Sequence, residues 1–248
     1  MKLNEIKKHL TIPLESPSYP PGPYYFHNRE YLIISYRTDP EAIRRIVPEP
    51  LDIPEPIAKF EVINMPDSSG FGSYIESGVV IPVVYNGMKG SFNVWMFLND
   101  HPPIAAGREI WGFPKKWGEP SLKVIRDQLV GTLDYSGVRV ATATMAYEYE
   151  ALDIKEVKRS MEGNNFNLKI IPSADGSVAL MQLVRYQLQN VTVKWAWKGP
   201  ATLDIRPCAL APLYKLPVIE VIEGVHQLTD LTLPYGEVIY DYLEDKRY

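Results

Sequence analysis

The feature that most constrains this fold is a succession of strand-length runs, rich in β-branched and aromatic residues, each closed by a turn signal or a proline. YLIISYR (31–37), IAKFEVINM (57–65), SYIESGVVIPVVY (73–85) and KGSFNVWMFL (89–98) follow one another, with PDSSGFG and Asn86-Gly87 among the connections. Such runs favour strands, and Asn-Gly suits a two-residue hairpin. SLKVIRD, LVGTLDYS and VRVATATMAYE continue the pattern, the last two joined through Ser136-Gly137. FNLKIIP, VALMQLVRYQL, VTVKWAWKG and HQLTDLTL extend it, with an Asp175-Gly176 turn between the first two. In VTVKWAWKG, Val191, Val193, Trp195 and Trp197 alternate with Thr192, Lys194 and Lys198, which predicts a core role for the tryptophans. PYGEVIYDYL fits a strand or a helix.

Elsewhere helical spacing is confined to three short stretches: Leu3, Ile6 and Leu10; Ile43, Ile46 and Val47, behind an Asp39 cap and Pro40; and Ile154, Val157 and Met161. The 22 prolines in 248 residues are about 9 percent against a usual ~5, which favours rigid loops and strands over long helices. The chain therefore reads as mainly β with a minor helical part (α+β), one domain over residues 1–248 with no convincing linker.

Lys+Arg 26 against Asp+Glu 30 gives a net charge of −4 without a basic cluster, which argues against nucleic acid as a partner. The most apolar stretch, VVIPVVY at 79–85, is too short to cross a bilayer, and MKLNEIKKHL has no apolar run behind its charges. A soluble, cytoplasmic protein without membrane contact is expected. The lone Cys208 cannot form an intramolecular disulfide and reads as a small apolar residue. His9, His27, His101 and His226 are scattered without ligand spacing, and the loop motifs of nucleotide-binding, zinc-protease and α/β-hydrolase sites are missing. No metal or other cofactor is called for.

The stretch that carries chemistry is GREIWGFPKKWGEP (107–120), where Lys115 and Lys116 follow a proline among Trp111, Phe113 and Trp117. Paired lysines are ordinarily a solvated surface feature. In apolar surroundings, however, desolvation and a neighbouring cation both favour the neutral amine, a nucleophile. An ordinary lysine is neutral in roughly 1 molecule in 2,500 at pH 7, so an amine catalyst needs about three to four units of depression, ~4 to 5.5 kcal/mol. In extended chain the two ammonium groups point to opposite faces, ~8 Å or more apart, and repel by roughly 0.5 to 2 kcal/mol. Burial of one lysine is thus expected to supply most of the shift, and Lys116 less.

Other polar residues are more ambiguous. Four prolines between Pro17 and Pro23 deliver Arg29 to a strand edge, on a positioned loop, although a surface arginine is the preferred reading of the residue alone. Glu61 and Glu76 interrupt β-prone runs. Glu61 shares a face with Ile57, Lys59 and Ile63, opposite Ala58, Phe60 and Val62, and could simply be solvated.

Taken in order, FHNREY (26–31), YRTD (36–39), VPEPL (47–51), ESG (76–78), GREIWGFPKK (107–116), GTLDY (131–135), VATATM (140–145), LKIIP (168–172), APL (211–213) and VIYDYL (238–243) resemble the acetoacetate decarboxylase family nearly end to end. A lysine activated in this way is that family's own known device; its division between burial and Lys116 is inferred from the spacing of the two amines. The resemblance implies an antiparallel β-barrel or cone with flanking strands and a few short helices, assembled as a homo-oligomer, a dodecamer. It implies a lyase that decarboxylates acetoacetate, a β-keto acid, to acetone and carbon dioxide through a Schiff base on Lys115. Lys116 would be the charge neighbour. Arg29 and Glu61 would serve substrate binding, and Glu76 would orient the carboxylate or move protons. Phe113 and Trp117 depart from a familiar member of the family, which has tyrosine and leucine there. Two rivals stand beside this expectation: a Schiff-base aldolase or dehydratase on the same scaffold, and a β-barrel that binds a small molecule without turnover.

Overall fold

A computed structural model gives the fold of residues 1–245. The first helix, α1 (Leu3–Ile6), is shorter than the spacing of Leu3, Ile6 and Leu10 predicts, because all three side chains are exposed and no packing sustains it. A proline-rich loop leads to β1 (Tyr24–Arg37), which starts earlier than the run at 31–37 suggests. Arg29 is therefore inside a strand, not on the expected loop. A bulge between Phe26 and Arg29, with Asn28 at φ 55°, re-aims the strand just before it.

Asp39 caps α2 (Pro40–Ile46) by accepting the Ala42 N–H at 2.7 Å, as the sequence predicts. An antiparallel meander follows: β2 (Ile57–Ser68), β3 (Gly72–Tyr85) and β4 (Met88–Leu98), with Asn86 and Gly87 both at positive φ in the hairpin. The chain then forms α3 (His101–Ala106) and a π-helical turn over Gly107–Trp111, which sequence reading missed. Two prolines at the start of α3 concealed it, although proline is tolerated in a first turn, where its missing N–H has no intrahelical partner.

Next come β5 (Lys115–Trp117), β6 (Glu119–Ile125), β7 (Gln128–Tyr135), β8 (Val138–Ala146), β9 (Glu150–Ala151) and α4 (Ile154–Met161). The chain closes through β10 (Asn164–Pro172), β11 (Val178–Gln187), β12 (Gln189–Gly199), β13 (Ala201–Ile205), β14 (Glu220–Leu233) and β15 (Glu237–Asp241), so the ambiguous last stretch is a strand. A register shift between Val193 and Trp195 breaks the alternation expected of β12: Val191, Val193 and Ala196 are buried, while Trp195 and Trp197 are only half-buried.

Among the described residues eleven strands make one sheet, ordered β15-β11-β10-β4-β3-β2-β1-β14-β12-β9 with β5 beside β4, and β13-β8-β7-β6 make a second. Neighbours are antiparallel except β10 with β4 and β4 with β5. The mainly β, antiparallel-dominated architecture is as expected. Among the described residues the pairing path does not close, so the anticipated barrel is an open sheet.

The two faces of β1 and β2 explain where the site sits. Leu32, Ile34, Phe60 and Val62 point to one face and pack with Leu129, Leu133 and Val140 of the second sheet. Each such buried side chain contributes roughly 1.5 to 3 kcal/mol. The alternate residues Arg29, Tyr31, Ile33 and Ser35 of β1, with Lys59, Glu61 and Ile63 of β2, line a cavity on the other face.

Candidate active site

The lysine segment is tied down residue by residue. Glu109 accepts hydrogen bonds from the hydroxyls of Thr11 (3.0 Å) and Tyr19 (2.5 Å), which anchors the proline-rich N-terminal loop to the π-helical turn. Burial and the Glu109 carboxylate push the Tyr19 hydroxyl up to about 12, so it remains a donor. Lys169 Nζ donates to the Ile110 carbonyl at 3.2 Å, and Trp111 Nε1 to the Pro234 carbonyl at 2.9 Å. Gly112 ends the turn at φ 75°, and a Cβ there would stand 2.4 Å from Lys169 Cα, so glycine is required twice over. Arg108 Nη1 then reaches the carbonyl of Lys115 itself at 3.2 Å.

This frame drives Lys115 into the cavity. The residue is 6 % exposed, and its Nζ lies 2.9 Å from Glu76 Oε2, 5.0 Å from the Phe113 ring centroid and 5.9 Å from that of Tyr74. The Glu76 contact is an ion pair rather than an aligned hydrogen bond, since among the described residues Oε2 finds no well-directed donor. Gly107 makes room for the chain: a Cβ on it would meet Lys115 Cδ at 2.7 Å.

Lys116 goes the other way, as extended chain requires. Its Nζ donates to the Leu210 carbonyl at 2.6 Å and lies 4.9 Å from the Tyr135 ring centroid, away from the cavity lining. The aromatic setting is also narrower than the sequence implied. Phe113 lines the cavity, whereas Trp111 is buried beside Tyr24, Phe113 and Tyr235, and Trp117 is exposed and stacks on His101.

The cavity measures about 370 Å³ and brings Arg29, Glu61, Glu76 and Lys115 together. Arg29 and Glu61 retain partial surface because the cavity reaches them, yet both are deep within the molecule. The Arg29 guanidinium rests 4.9 Å from the Tyr31 ring centroid and 5.2 Å from that of Phe26, and its buried Nε has no hydrogen-bond partner among the described residues. Burial alone would weaken its charge, but Tyr31, Glu76, Tyr74 and Tyr186 outweigh that and raise its pKa, so it stays a cation. Burial pushes the Glu61 carboxyl up; Lys59 and then Arg29 pull it back in part, and Glu76 adds to the rise.

Sequence reading missed Tyr31, Tyr74, Tyr186 and Asn93 as cavity residues. Burial holds all three tyrosines above their ordinary value, Tyr31 at about 12, which keeps them as neutral hydroxyl donors. Asn93 Nδ2 donates to Asn167 Oδ1 at 2.8 Å and to Tyr186 Oη at 3.3 Å, leaving the Tyr186 proton free to point elsewhere. Asn93 did carry a signal, as the one polar residue in FNVWMFL; Tyr186 carried none. Among the described residues no group of three His, Cys, Asp or Glu could hold a metal ion, and no helix is long and apolar enough to cross a membrane.

Fold and site together define a class: an open, mostly antiparallel β protein with a buried lysine facing a carboxylate in a deep pocket that also holds a guanidinium. The comparisons narrow it. Residues 11–243 match the family model for acetoacetate decarboxylase (ADC). The chain is 56% identical over 244 residues to an acetoacetate decarboxylase of Burkholderia mallei, covering 98% of this chain and 99% of that protein. It is 58% identical over 232 residues to acetoacetate decarboxylase 2 of Mesorhizobium japonicum, covering 94% and 89%. A solved acetoacetate decarboxylase structure superposes with a TM-score of 0.97 at 51% identity, covering 98% of this chain and all of the other. The chain belongs to the acetoacetate decarboxylase family.

Proposed function

We propose that the protein is a single-domain lyase that decarboxylates acetoacetate to acetone and carbon dioxide, with Lys115 as the nucleophile. The observation that carries this reading is one buried amine, 2.9 Å from a carboxylate, in a pocket shared with a guanidinium whose Nε has no hydrogen-bond partner among the described residues. The substrate carboxylate completes Arg29, for which a planar fork is suited. Glu76, 2.9 Å from Nζ, takes the proton that the Lys115 nitrogen gives up, and the free amine so formed attacks the ketone carbon.

Loss of water leaves a protonated imine. The bond to the carboxyl carbon then breaks, its electron pair moving toward nitrogen to give an enamine as carbon dioxide departs. Carbon takes up a proton, and water releases acetone and regenerates the amine. The net reaction consumes one proton per acetoacetate. Arg29 positions the leaving carboxylate, and a tighter grip than one guanidinium provides would stabilise the ground state and slow the loss. Glu61 shapes the charge around that carboxylate. Lys116, bonded to a main-chain carbonyl outside the cavity, acts only as a distant charge.

We also read the protein as cytoplasmic and as a homo-oligomer, a dodecamer by family likeness. Exposed Ile170, Val178, Leu180 and Val238 on β10, β11 and β15 are apolar surface that assembly would cover, which light scattering tests. The activity is tested by supplying acetoacetate and measuring acetone and carbon dioxide in equal amounts. Turnover of another keto acid without carbon dioxide would instead make it an aldolase or dehydratase.

A further inference from the structure

Two gradients run along the cavity. The first is burial. Tyr31, Ile63 and Glu76 are aligned across β1, β2 and β3 and are buried, while four residues further along β1 the buried Ser35 lies level with the half-buried Lys59 and with Glu223 of β14, which is exposed. Asp153, Glu156 and Ser160, from α4 and its cap, also line this end and are exposed. This is the mouth, and the amine sits at the far end.

The second gradient is charge. Lys59 is the lone cation among the described residues lining the mouth, facing Asp153, Glu156 and Glu223. Glu156 is partly engaged by Arg159 at 3.7 Å, and Asp153 accepts the Lys155 N–H at 2.8 Å. Lys59 itself has no hydrogen bond or ion pair from its ammonium among the described residues. Its charge is felt inward, where it does more than Arg29 to stabilise an ionised Glu61. Along a strand, Lys59 and Glu61 are ~7 Å apart, so a ligand moving from the mouth to Arg29 passes Lys59 first.

We propose that Lys59 is the residue that admits the anionic substrate, offsetting the carboxylates of the mouth and drawing a mono-anionic keto acid inward toward Arg29. This rests on the decarboxylase reading above. Its effect is on binding and not on the chemical step, and it depends on salt because the mouth is open to water. A unit charge ~7 to 10 Å from the entering carboxylate, in largely aqueous surroundings, changes its occupancy about two- to fourfold.

The test compares wild type, Lys59→Gln, Lys59→Arg and Glu223→Gln, with acetoacetate and with a sulfonate isostere that cannot lose carbon dioxide. At low ionic strength Lys59→Gln should lower kcat/KM and weaken sulfonate binding about threefold with kcat unchanged, and Lys59→Arg should restore both. Glu223→Gln should shift both the opposite way. In ~1 M salt, where the screening length is about 3 Å, the differences should vanish. Unchanged sulfonate binding by folded Lys59→Gln at low salt would overturn the proposal, as would a salt-independent loss confined to kcat. Failure of the wild type to release acetone would reject the decarboxylase reading instead, and the sulfonate measurement would still decide the role of Lys59.

Discussion

Gly107→Ala offers a way to move the Lys115 amine without altering any ionisable group. The Gly107 backbone is at φ −59° and ψ −46°, so alanine fits there without strain, and in a helical turn it gains up to about 1 kcal/mol over glycine. The new Cβ would lie 2.7 Å from Lys115 Cδ, 3.0 Å from Cε and 3.4 Å from Phe113 Cβ. Ordinary carbon contacts are ~3.5 to 4 Å, so the lysine chain must retreat by about 1 Å. Only the far part of a flexible side chain has to give, and the helix gain offsets much of the packing cost. Thermal stability should stay within a few degrees of wild type. The amine, however, leaves its 2.9 Å contact with Glu76. A misplacement of about 1 Å at a reacting group costs on the order of 100-fold. The assay is kcat for acetone release, beside Tm by calorimetry. A folded Gly107→Ala protein with kcat within about twofold of wild type would refute the claim that this contact sets the amine in place.

Lys115→Arg should fold and keep a cation opposite Glu76, yet lose turnover altogether, because guanidinium does not become a free nucleophile; residual acetone production above background would reject the assignment. Lys116→Gln should leave kcat within a few-fold of wild type, since its ammonium is bonded to the Leu210 carbonyl outside the cavity. Glu61 has a raised folded-state pKa, so its stabilising contribution is present below its ordinary 4.5 and is lost as pH rises through the folded value. Melting curves should therefore show Glu61→Gln gaining on wild type as pH climbs from acid toward neutral; a constant gap would contradict this. Glu30 has the opposite sign: its hydrogen bond with His226, 2.8 Å from Nε2, holds it below 4.5, so its contribution appears above that value and disappears as pH falls through the folded one. Glu30→Gln should cost stability at neutral pH and nothing in strong acid.

The strands were legible because turn residues sit where the chain reverses: Asn86-Gly87, Ser136-Gly137 and Gly176 all take positive φ in the structure at those positions. Lys115 was legible too, as an amine in aromatic company with extended backbone separating it from Lys116. The remaining site was harder to read for a definite reason. Glu61 lies on the β2 face that alternation suggests is solvated, but that face looks into a cavity closed by β14 and α4, distant in sequence. Arg29 seemed a loop residue because its strand begins beyond the apolar run, through a bulge that composition does not announce. Tyr186 and Asn93 meet only because β11 and β4 both flank β10, a pairing fixed by the whole sheet and not by local pattern. Trp117 misled in the other direction: it is next to Lys116 in sequence and faces outward against His101.

The central claim is that the Lys115 amine forms a covalent imine with the substrate ketone. Treating the protein with acetoacetate and borohydride, then mapping peptides by mass spectrometry, tests it directly. The account predicts one reduced adduct, on Lys115, absent from Lys115→Arg and from protein treated with borohydride alone. A modified peptide bearing the adduct on Lys116, or no adduct while acetone is still produced, would contradict it.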